Sequence, residues 1–356
     1  MRIGVPKEIK ILEGRVGLIP EAAAYLVRAG HEVFVETGAG HLSGFSDEAY
    51  EQFGIQILPD AGTLYAQSQL IVKVKEPIGE ELERLRSDHI LFGFLHLAAM
   101  PELAAKLQQI GLLAIAFETV EDGGVLPILA PMSDIAGRVS AQVGAHLLHQ
   151  PQGGMGVLLG GLPGVERGNA VVLGGGVAGT SAATMLAGMG ANITIFDLQR
   201  EKLAKLRNIG ENITTLYPYQ ESIQRAVLQA DLLIGAVLIT GARTPHLVSA
   251  GWVEQMKSGS VIVDISVDQG GCIETTEPTT YAQPTYTRYG VVHFGVTNMP
   301  GAVPRSASQA LSAALTPYVG KIADGTWEQI EALQKGVNVR AGKIVHPSVA
   351  KALTSI

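Results

Sequence analysis

The feature that most constrains this 356-residue chain is a glycine triplet, Gly174, Gly176 and Gly179. It follows the apolar run AVVL and precedes a segment with helical spacing. The first glycine suits a tight turn, the second lets a ligand approach the backbone, and the third permits close packing of helix on strand. The pattern predicts a strand, turn and helix that bind a dinucleotide, with the pyrophosphate at the free N–H groups of the helix N-terminus.

An acidic residue beyond the triplet supports this interpretation. Asp197 ends the next apolar run, ITIFD, at the spacing of a carboxylate that binds the ribose hydroxyls of adenosine. A carboxylate there repels a ribose phosphate, so NAD is favoured over NADP. Arg200 and Lys202 lie close behind Asp197 and leave NADP open. A glycine-rich turn that binds another nucleotide, or none, is the remaining alternative.

Apolar runs rich in β-branched residues alternate with helix-length segments along the chain. A first series runs from RIGV to LLAIAFETV, and a second runs from AVVLGG to VVHFGV. This alternation predicts an α/β fold with two doubly wound, Rossmann-like domains built on parallel sheets. Pro20 to Arg28 is one predicted helix, since it opens with proline and closes at Gly30.

The segments between and after the two series set the domain order. SDIAGRVSAQVGAHLLHQP is predicted to be a connecting helix with Ser133 or Asp134 at its N-cap. Later, RSASQALSAALTPYVGKIADG is helical in pattern, with a predicted interruption at Pro317. Too few residues remain for a third domain. We therefore predict a domain of residues 1–130 plus 305–356, with residues 131–304 inserted as the NAD-binding domain.

Composition narrows the classes of partner and compartment. The chain has 26 Lys and Arg against 33 Asp and Glu, a net charge of -7 that gives no electrostatic footprint for nucleic acid or anionic membranes. The single cysteine, Cys272, excludes an internal disulfide, and MRIGVPKEIK does not resemble a signal peptide, so a cytoplasmic location is expected. H-E-x-x-H and paired C-x-x-C patterns are absent from the sequence, and no metal site is predicted.

Three polar residues follow predicted strands of the first domain, where ligands of an open parallel sheet bind. Arg15 lies after the first strand, Lys75 ends LIVKVK, and His96 follows LFGFL. A guanidinium can hold a carboxylate through two hydrogen bonds, an ammonium adds charge, and an imidazole titrates near neutrality. Together they predict a site for a carboxylic acid that undergoes oxidation. The ordinary alternatives are a surface arginine, a solvated strand face shared by Lys73 and Lys75, and a core histidine.

The second domain offers one further candidate. Asp268, in SVIVDISVDQGG, lies just past a predicted strand, where it could face the nicotinamide. Asp264 is the competing carboxylate, and its position inside the strand favours a structural role. Cys272 has no histidine as a sequence neighbour, and hydride transfer needs no nucleophile, so it is predicted to be structural.

Several segments, spread over the whole chain, carry a resemblance to a known family. They include MRIGVPKEIK with Arg15, VKVKEP, LAPMSDIAGR, VLGGGVAG, VDISVDQGGCIETTEPTT and HFGVTNMPGAVPRSAS. This combination resembles the family of alanine dehydrogenases and the nucleotide-binding alpha subunits of proton-translocating transhydrogenases. The intact DQGGCIETT and NMPGAVPR favour the alanine dehydrogenase branch.

The resemblance implies reversible, NAD-dependent oxidative deamination of L-alanine to pyruvate and ammonium. Two alternatives stay open: an NAD(H)-binding module of a transhydrogenase, and a related dehydrogenase acting on a 2-hydroxy acid or a saccharopine-like substrate. The resemblance also implies a homohexamer.

The same resemblance implies roles for individual residues. Arg15 and Lys75 would bind the substrate carboxylate, His96 would be the general acid and base, and Asp268 would assist in the active site. Beyond the glycine triplet, the implied contacts with NAD are Ser133, Val177, Ala178, Asp197, Lys202, Val237, Leu238, Ile265, Ser266, Val267, Asp268, Val296, Thr297, Asn298 and Met299.

Overall fold

A computed structural model describes residues 1–237 and 244–354 of the chain. It divides into two compact units. The first comprises Met1–Met132 and Val303–Ile356, and the second comprises Ser133–Ala302. The junctions predicted from the sequence, 130/131 and 304/305, each differ from these by two residues.

Strands and helices alternate along both units. The strands are β1 (Arg2–Val5), β2 (Glu32–Glu36), β3 (Gln56–Leu58), β4 (Leu70–Val72), β5 (Ile90–Gly93), β6 (Leu113–Ala116), β7 (Asn169–Leu173), β8 (Asn192–Phe196), β9 (Ile213–Leu216), β10 (Leu232–Gly235), β11 (Val261–Asp264), β12 (Thr285–Arg288), β13 (Val291–Phe294), β14 (Val337–Arg340) and β15 (Lys343–Ile344). The helices are α1 (Pro20–Arg28), α2 (Asp47–Glu51), α3 (Ala61–Gln67), α4 (Glu81–Arg84), α5 (Pro101–Ile110), α6 (Leu129–Leu147), α7 (Val177–Met189), α8 (Arg200–Arg207), α9 (Gln220–Gln229), α10 (Ala250–Val253), α11 (Pro304–Ala323), α12 (Glu331–Gly336) and α13 (Pro347–Thr354).

The sheet of the first unit has the order β15-β14-β6-β5-β4-β1-β2-β3. Strands β1 to β6 are parallel, while β14 and β15 extend the β6 edge in antiparallel pairing. The strand order reverses between β1 and β4. In doubly wound sheets, ligands bind beyond the carboxyl ends of the strands at this switch point.

The sheet of the second unit repeats this arrangement. Its order is β12-β13-β11-β10-β7-β8-β9, and all neighbouring pairs are parallel except β12 with β13. The switch point lies between β7 and β10. The predicted α/β class with two doubly wound sheets is confirmed, with the refinement that antiparallel strands at one edge make both sheets mixed.

The inner parallel strands are buried on both faces, which explains why they read as continuous apolar runs. In β4 and β10, for example, every residue is buried. Helices on the faces complete two cores, one containing Leu91 and Leu107 and the other containing Val171 and Ile262. These packed cores hold the strands in place, so the loops at the carboxyl ends of the strands begin from fixed positions.

Two helix predictions are wrong. Helix α6 begins at Leu129, so Ser133 and Asp134 lie within it and neither is its N-cap. The Asp134 carboxylate instead accepts a hydrogen bond from Ser181 Oγ at 2.6 Å and one from Arg138 Nε at 2.8 Å. Helix α11 continues through Pro317 without interruption. Within the described ranges, no helix combines the length and apolar character needed to cross a membrane.

Candidate active site

The three candidate residues of the first unit all follow parallel strands around its switch point. Arg15 comes after β1, Lys75 after β4 and His96 after β5. Those three strands are adjacent in the order β5-β4-β1. The structure therefore places all three side chains at one edge of one sheet, as the sequence predicts.

Arg15 is held by an internal carboxylate. Its Nε and Nη2 donate to the two oxygens of Glu13 at 2.7 and 2.6 Å, and its Nη1 lies 3.2 Å from Met132 Sδ. Because Arg15 is only 3% exposed, the alternative of a surface arginine is wrong. Glu13 therefore occupies one edge of the guanidinium.

The charges of this cluster fit one carboxylate. Burial raises the pKa of Glu13, but the hydrogen bonds and charge of Arg15, together with the charge of Lys75, outweigh burial and lower that pKa to about 2. Glu13 is therefore ionised at neutral pH. Arg15 and Lys75 are both cationic, so a substrate carboxylate beside them would face two positive charges.

Lys73 and Lys75 have different environments. The Lys73 ammonium is buried and lies 3.2 Å from both Glu8 and Glu81. Lys75 is half-buried, and within residues 1–237 and 244–354 it forms no ion pair. Burial and the charge of Arg15 lower the pKa of Lys75. A solvated face shared by both lysines is therefore wrong, and Lys75 is the one suited to an incoming anion.

His96 adopts a constrained backbone conformation. Its φ of 49° lies in the left-handed region, which residues other than glycine rarely occupy. The imidazole stacks on the Phe94 ring with centroids 5.8 Å apart and planes 4° apart. With 40% of its side chain exposed, His96 is not a core histidine.

Glu118 is a site residue that the sequence reasoning missed. Its Oε1 accepts a hydrogen bond from His96 N at 2.6 Å and lies 4.0 Å from His96 Nδ1. The same carboxylate accepts from Leu95 N at 3.3 Å. Glu118 follows β6, the next strand beyond β5, so the search for polar residues at strand ends could have found it. This carboxylate fixes the loop that presents the imidazole.

The three fingerprint glycines of the second unit have distinct surroundings. Gly174 has a φ of 100°, and a Cβ there would lie 2.6 Å from the carbonyl oxygen of Ala236. A Cβ on Gly179 would lie 1.8 Å from the carbonyl oxygen of Gly174. Around Gly176, no heavy atom of the described residues lies within 4 Å of such a position, apart from its chain neighbours and its own helix. This open space at the N-terminus of α7 fits a pyrophosphate, which settles on free backbone N–H groups.

Asp197 comes directly after β8 and is held by two backbone groups. Its Oδ2 accepts from Gly175 N at 2.8 Å, and its Oδ1 accepts from Gln199 N at 2.8 Å. An ionised carboxylate has about four acceptor positions. Asp197 can therefore accept further hydrogen bonds from ribose hydroxyls while its orientation stays fixed.

Asp264 organises the loop that carries Asp268. Its carboxylate accepts from the backbone N–H groups of Ser266 and Cys272, at 3.0 and 2.9 Å. Burial raises the pKa of Asp264 to about 6. Asp268 itself is exposed in the 3-10 helix Val267–Gln269. Cys272 is buried, and burial together with the Asp264 charge raises the pKa of its thiol, so it is a poor nucleophile.

The other candidate cofactor contacts lie close to the same edge. Val237 follows β10, residues 265–268 follow β11 and residues 296–299 follow β13, while Leu238 lies outside the described residues. The side chains of Ser266, Val267, Val296 and Met299 are buried, so contact from these residues would be through their backbone. The remaining candidates are half-buried or exposed, so their side chains are accessible. They are Ile265, Thr297, Asn298, Val177 and Ala178 of α7, Lys202 of α8 and Ser133 of α6.

No group of three or more His, Cys, Asp or Glu side chains is arranged to hold a metal ion anywhere in the described ranges. The first unit thus carries two cationic groups and an imidazole at one sheet edge. The second unit carries a strand, turn and helix of the kind that binds a dinucleotide. Such groups suit oxidation of a small carboxylic acid with a nicotinamide cofactor.

Known proteins resemble the chain over its whole length. Residues 4–136 match the family model "Alanine dehydrogenase/PNT, N-terminal domain", and residues 140–347 match "Alanine dehydrogenase/PNT, C-terminal domain". An alanine dehydrogenase of Bacillus subtilis (strain 168) is 50% identical over 99% of this chain and 95% of its own length. That of Mycobacterium tuberculosis (strain ATCC 25618 / H37Rv) is 45% identical over 98% of this chain and 96% of its own length.

Solved structures agree with these matches. An L-alanine dehydrogenase superposes with a TM-score of 0.96 at 52% identity, covering 100% of this chain and 99% of its own. A transhydrogenase from Sinorhizobium meliloti shares the fold, with a TM-score of 0.85 at 24% identity over 98% of this chain and 100% of its own. With two family models that together span most of its length, and relatives at up to 50% identity, this chain belongs to the alanine dehydrogenase/PNT family.

Proposed function

We propose that the protein is an NAD-dependent alanine dehydrogenase that converts L-alanine, NAD+ and water reversibly into pyruvate, ammonium, NADH and a proton. The observation that carries the proposal is the common position of Arg15, Lys75 and His96 at one sheet edge. Curated relatives that are 45 to 50% identical over nearly the whole chain bear the name alanine dehydrogenase. The transhydrogenase structure, at 24% identity, supports the fold only.

Arg15 and Lys75 bind the substrate carboxylate in this mechanism. The buried Arg15–Glu13 pair provides a rigid donor, and the half-buried Lys75 ammonium adds a charge without an ion-pair partner of its own in the described chain. Fixing the carboxylate at two points restricts the position of the substrate Cα. Such orientation lowers the barrier to reaction because little further ordering is needed.

The cofactor residues are those of the second unit. Gly174, Gly176 and Gly179 shape the turn, the N-terminus of α7 binds the pyrophosphate, and Asp197 accepts from the adenosine ribose hydroxyls. An extra phosphate on that ribose would meet the Asp197 carboxylate, so NAD is preferred over NADP. The bound nicotinamide supplies the acceptor for the hydride.

Proton transfer falls to His96. A hydride leaves the Cα of L-alanine, which gives an imine, and water adds to form a carbinolamine that releases ammonium. His96 accepts and returns the protons of these steps, and Glu118 keeps its loop in place. The exposed Asp268 carboxylate stabilises the cationic amine and carbinolamine.

The test is formation of NADH by the purified chain with L-alanine. NAD+ and NADP+ are compared in parallel, a 2-hydroxy acid replaces L-alanine in one arm, and the reverse reaction is run with and without ammonium. We expect activity with L-alanine and NAD+, and a strict need for ammonium in reverse. A chain that binds NADH but never oxidises L-alanine would instead favour the transhydrogenase module.

His96→Ala should abolish turnover while NADH binding stays close to that of the wild type. The exposed His41, in the 3-10 helix His41–Ser43, provides the control variant His41→Ala, which should retain activity. Substantial turnover by His96→Ala would contradict the proposed mechanism. The homohexamer and the cytoplasmic location stay predictions, and sedimentation velocity tests the first.

A further inference from the structure

A second group of buried charges lies beside the backbone of Lys75. This buried charge cluster comprises Glu8 in the loop after β1, Lys73 directly after β4 and Glu81 at the start of α4. Between 1% and 3% of each side chain is exposed. Glutamate and lysine are rarely buried this completely unless they are paired. None of the three residues has a role in the proposed mechanism, so their burial needs another explanation.

Lys73 connects the two carboxylates of the cluster. Its ammonium lies 3.2 Å from Glu8 Oε2 and 3.2 Å from Glu81 Oε1. It also donates to the carbonyl oxygen of Glu76 at 3.5 Å. Burial alone would lower the pKa of Lys73, but the two carboxylates outweigh burial and raise that pKa above its usual value. Lys73 is therefore charged at neutral pH, and its ammonium fixes the orientation of both glutamates.

The same carboxylates bind the backbone on either side of the Lys75 side chain. Glu8 Oε1 accepts a hydrogen bond from Val74 N at 2.6 Å, and Glu8 Oε2 accepts a longer one from Lys75 N at 3.4 Å. Glu81 Oε2 accepts from Ile78 N at 2.9 Å. The cluster thus holds the backbone both before and after Lys75.

Stability alone does not account for this cluster. Replacing a buried ion pair by apolar side chains of similar volume is often neutral or stabilising. Two carboxylates around one ammonium also exceed what charge balance requires. What the carboxylates provide in addition is acceptors for three backbone N–H groups around a residue that the mechanism uses.

We propose that Glu8, oriented by Lys73, is a positioning residue that holds Lys75 where its ammonium meets the substrate carboxylate. The inference rests on the proposed function, because it takes Lys75 to bind that carboxylate. Lys75 has no ion-pair partner in the described part of the chain, so its ammonium is placed by its own backbone and not by a neighbouring acid. A shift of that backbone moves the charge away from the substrate.

A displaced Lys75 has a kinetic signature that a simple loss of stability lacks. Partial unfolding reduces the amount of active enzyme and so lowers the apparent kcat, while KM of the folded fraction stays the same. A displaced ammonium weakens binding of the carboxylate, so KM for L-alanine rises. The loss of a charge-assisted hydrogen bond weakens binding about tenfold or more.

The experiment measures KM for L-alanine and, by calorimetry, the affinity of pyruvate for the full-length chain saturated with NADH in the absence of ammonium. Two variants perturb Glu8 in different ways. Glu8→Gln keeps the length of the side chain and removes its charge, whereas Glu8→Asp keeps the charge and withdraws the carboxylate from Val74 N. We expect both to raise KM and to weaken pyruvate binding about tenfold or more, with NADH affinity unchanged.

The matched control is Asp231→Asn in the second unit. Asp231 is also a buried carboxylate, which pairs with Lys257 Nζ at 2.8 Å and accepts from Asn169 N at 2.7 Å. These contacts lie at the amino ends of β7 and β10, opposite the edge that carries the candidate cofactor residues. Asp231→Asn should lower the melting temperature and leave KM for L-alanine unchanged.

A further comparison tests whether Glu8 acts through Lys75. Lys75→Met removes the ammonium and leaves Arg15 to bind pyruvate, so adding Glu8→Asp to it should cause no further loss of pyruvate affinity. Losses that multiply in the double variant would overturn the inference, and so would wild-type pyruvate affinity in either folded Glu8 variant. Both results leave the proposed function standing, because the wild type still oxidises L-alanine. A wild-type chain that neither oxidises L-alanine nor binds pyruvate would refute the proposed function itself.

Discussion

Glu13 is the residue on which the position of Arg15 depends. Both carboxylate oxygens bind the guanidinium, and the side chains of the pair are almost completely buried. A buried charge without its partner is costly, so the pair acts as a unit. Arg15 is consequently a hydrogen-bond donor whose geometry is fixed by the fold.

Glu13→Gln should destabilise the protein by about 3 kcal/mol at neutral pH, because it leaves the Arg15 charge buried without its carboxylate. The pKa of Glu13 falls from its usual 4.5 to about 2 on folding. A depressed carboxyl pKa contributes stability that is complete above 4.5 and is lost as the pH falls to about 2. The difference in unfolding free energy between wild type and Glu13→Gln should therefore decrease as the pH falls from 4.5 to about 2.

Urea unfolding at a series of pH values measures this difference. The control variant Glu83→Gln changes an exposed carboxylate and should alter the unfolding free energy by less than about 0.5 kcal/mol. If the difference in unfolding free energy between wild type and Glu13→Gln does not change with pH, the lowered pKa of Glu13 is refuted.

The residue types of the site could be predicted from the sequence, but their partners could not. Arg15, Lys75 and His96 stand out because each follows a strand-like run. The pairing of Arg15 with Glu13 depends on a loop conformation that no periodicity encodes. Glu118 also follows a strand, so the same rule applies to it. Its role could not be predicted from the sequence because its carboxylate contacts the backbone of His96, which is far from it in the chain.

The glycines of the turn between β7 and α7 differ in what requires them, because packing requires one and a ligand would require another. Gly179 is required by packing, since a Cβ there would overlap the carbonyl oxygen of Gly174. Gly176 has an ordinary φ of -70°, and among the residues that the structure describes none would clash with a Cβ there. A ligand that approaches the backbone at Gly176 would require glycine.

Gly176→Ala should leave the unfolding free energy within about 0.5 kcal/mol of the wild type while weakening NADH binding by about tenfold or more. Gly179→Ala should instead destabilise the second unit by at least about 2 kcal/mol, because the clash involves backbone. Thermal unfolding and NADH titration separate the two effects. Normal NADH affinity in Gly176→Ala would place the pyrophosphate elsewhere.

At the level of elements, the buried inner strands were predictable from the sequence and the exposed edge strands were not. Strands such as β4 and β10 are buried throughout and read as continuous apolar runs. By contrast, β12 is mostly exposed and β15 has two residues, so neither shows a recognisable pattern. Helix α11 passes through Pro317 because burial of its apolar face outweighs the loss of one backbone hydrogen bond.

Over the whole molecule, the last segment of the chain is structural for the first unit. Strand β14 pairs with β6, and the hydroxyls of Ser308 and Ser312 accept from Val16 N and Ile19 N at 3.0 Å each. These two bonds hold the loop directly after Arg15. The segment from Val303 onward therefore supports the candidate substrate site without being near it in sequence.

Removal of residues 303–356 should unfold the first unit and spare the second, which is one continuous stretch from Ser133 to Ala302. We expect the truncated chain to bind ADP-ribose with nearly wild-type affinity and to lose oxidation of L-alanine. Hydrogen exchange would show fast exchange in β1 to β6 and protection in β7 to β11. Loss of ADP-ribose binding, or survival of alanine oxidation, would contradict this division.

Because the second unit is inserted into the first, the usual order of folding during synthesis on the ribosome is reversed. Domains generally fold from the N-terminus as they emerge. Here the second unit is fully synthesised while residues 303–356 are still missing, so it can complete its sheet first. Until β14 arrives, the edge of β6 stays without a neighbour, and an open strand edge invites association with other chains. Newly made chains are therefore most vulnerable to aggregation in the interval between release of the second unit and closure of the first.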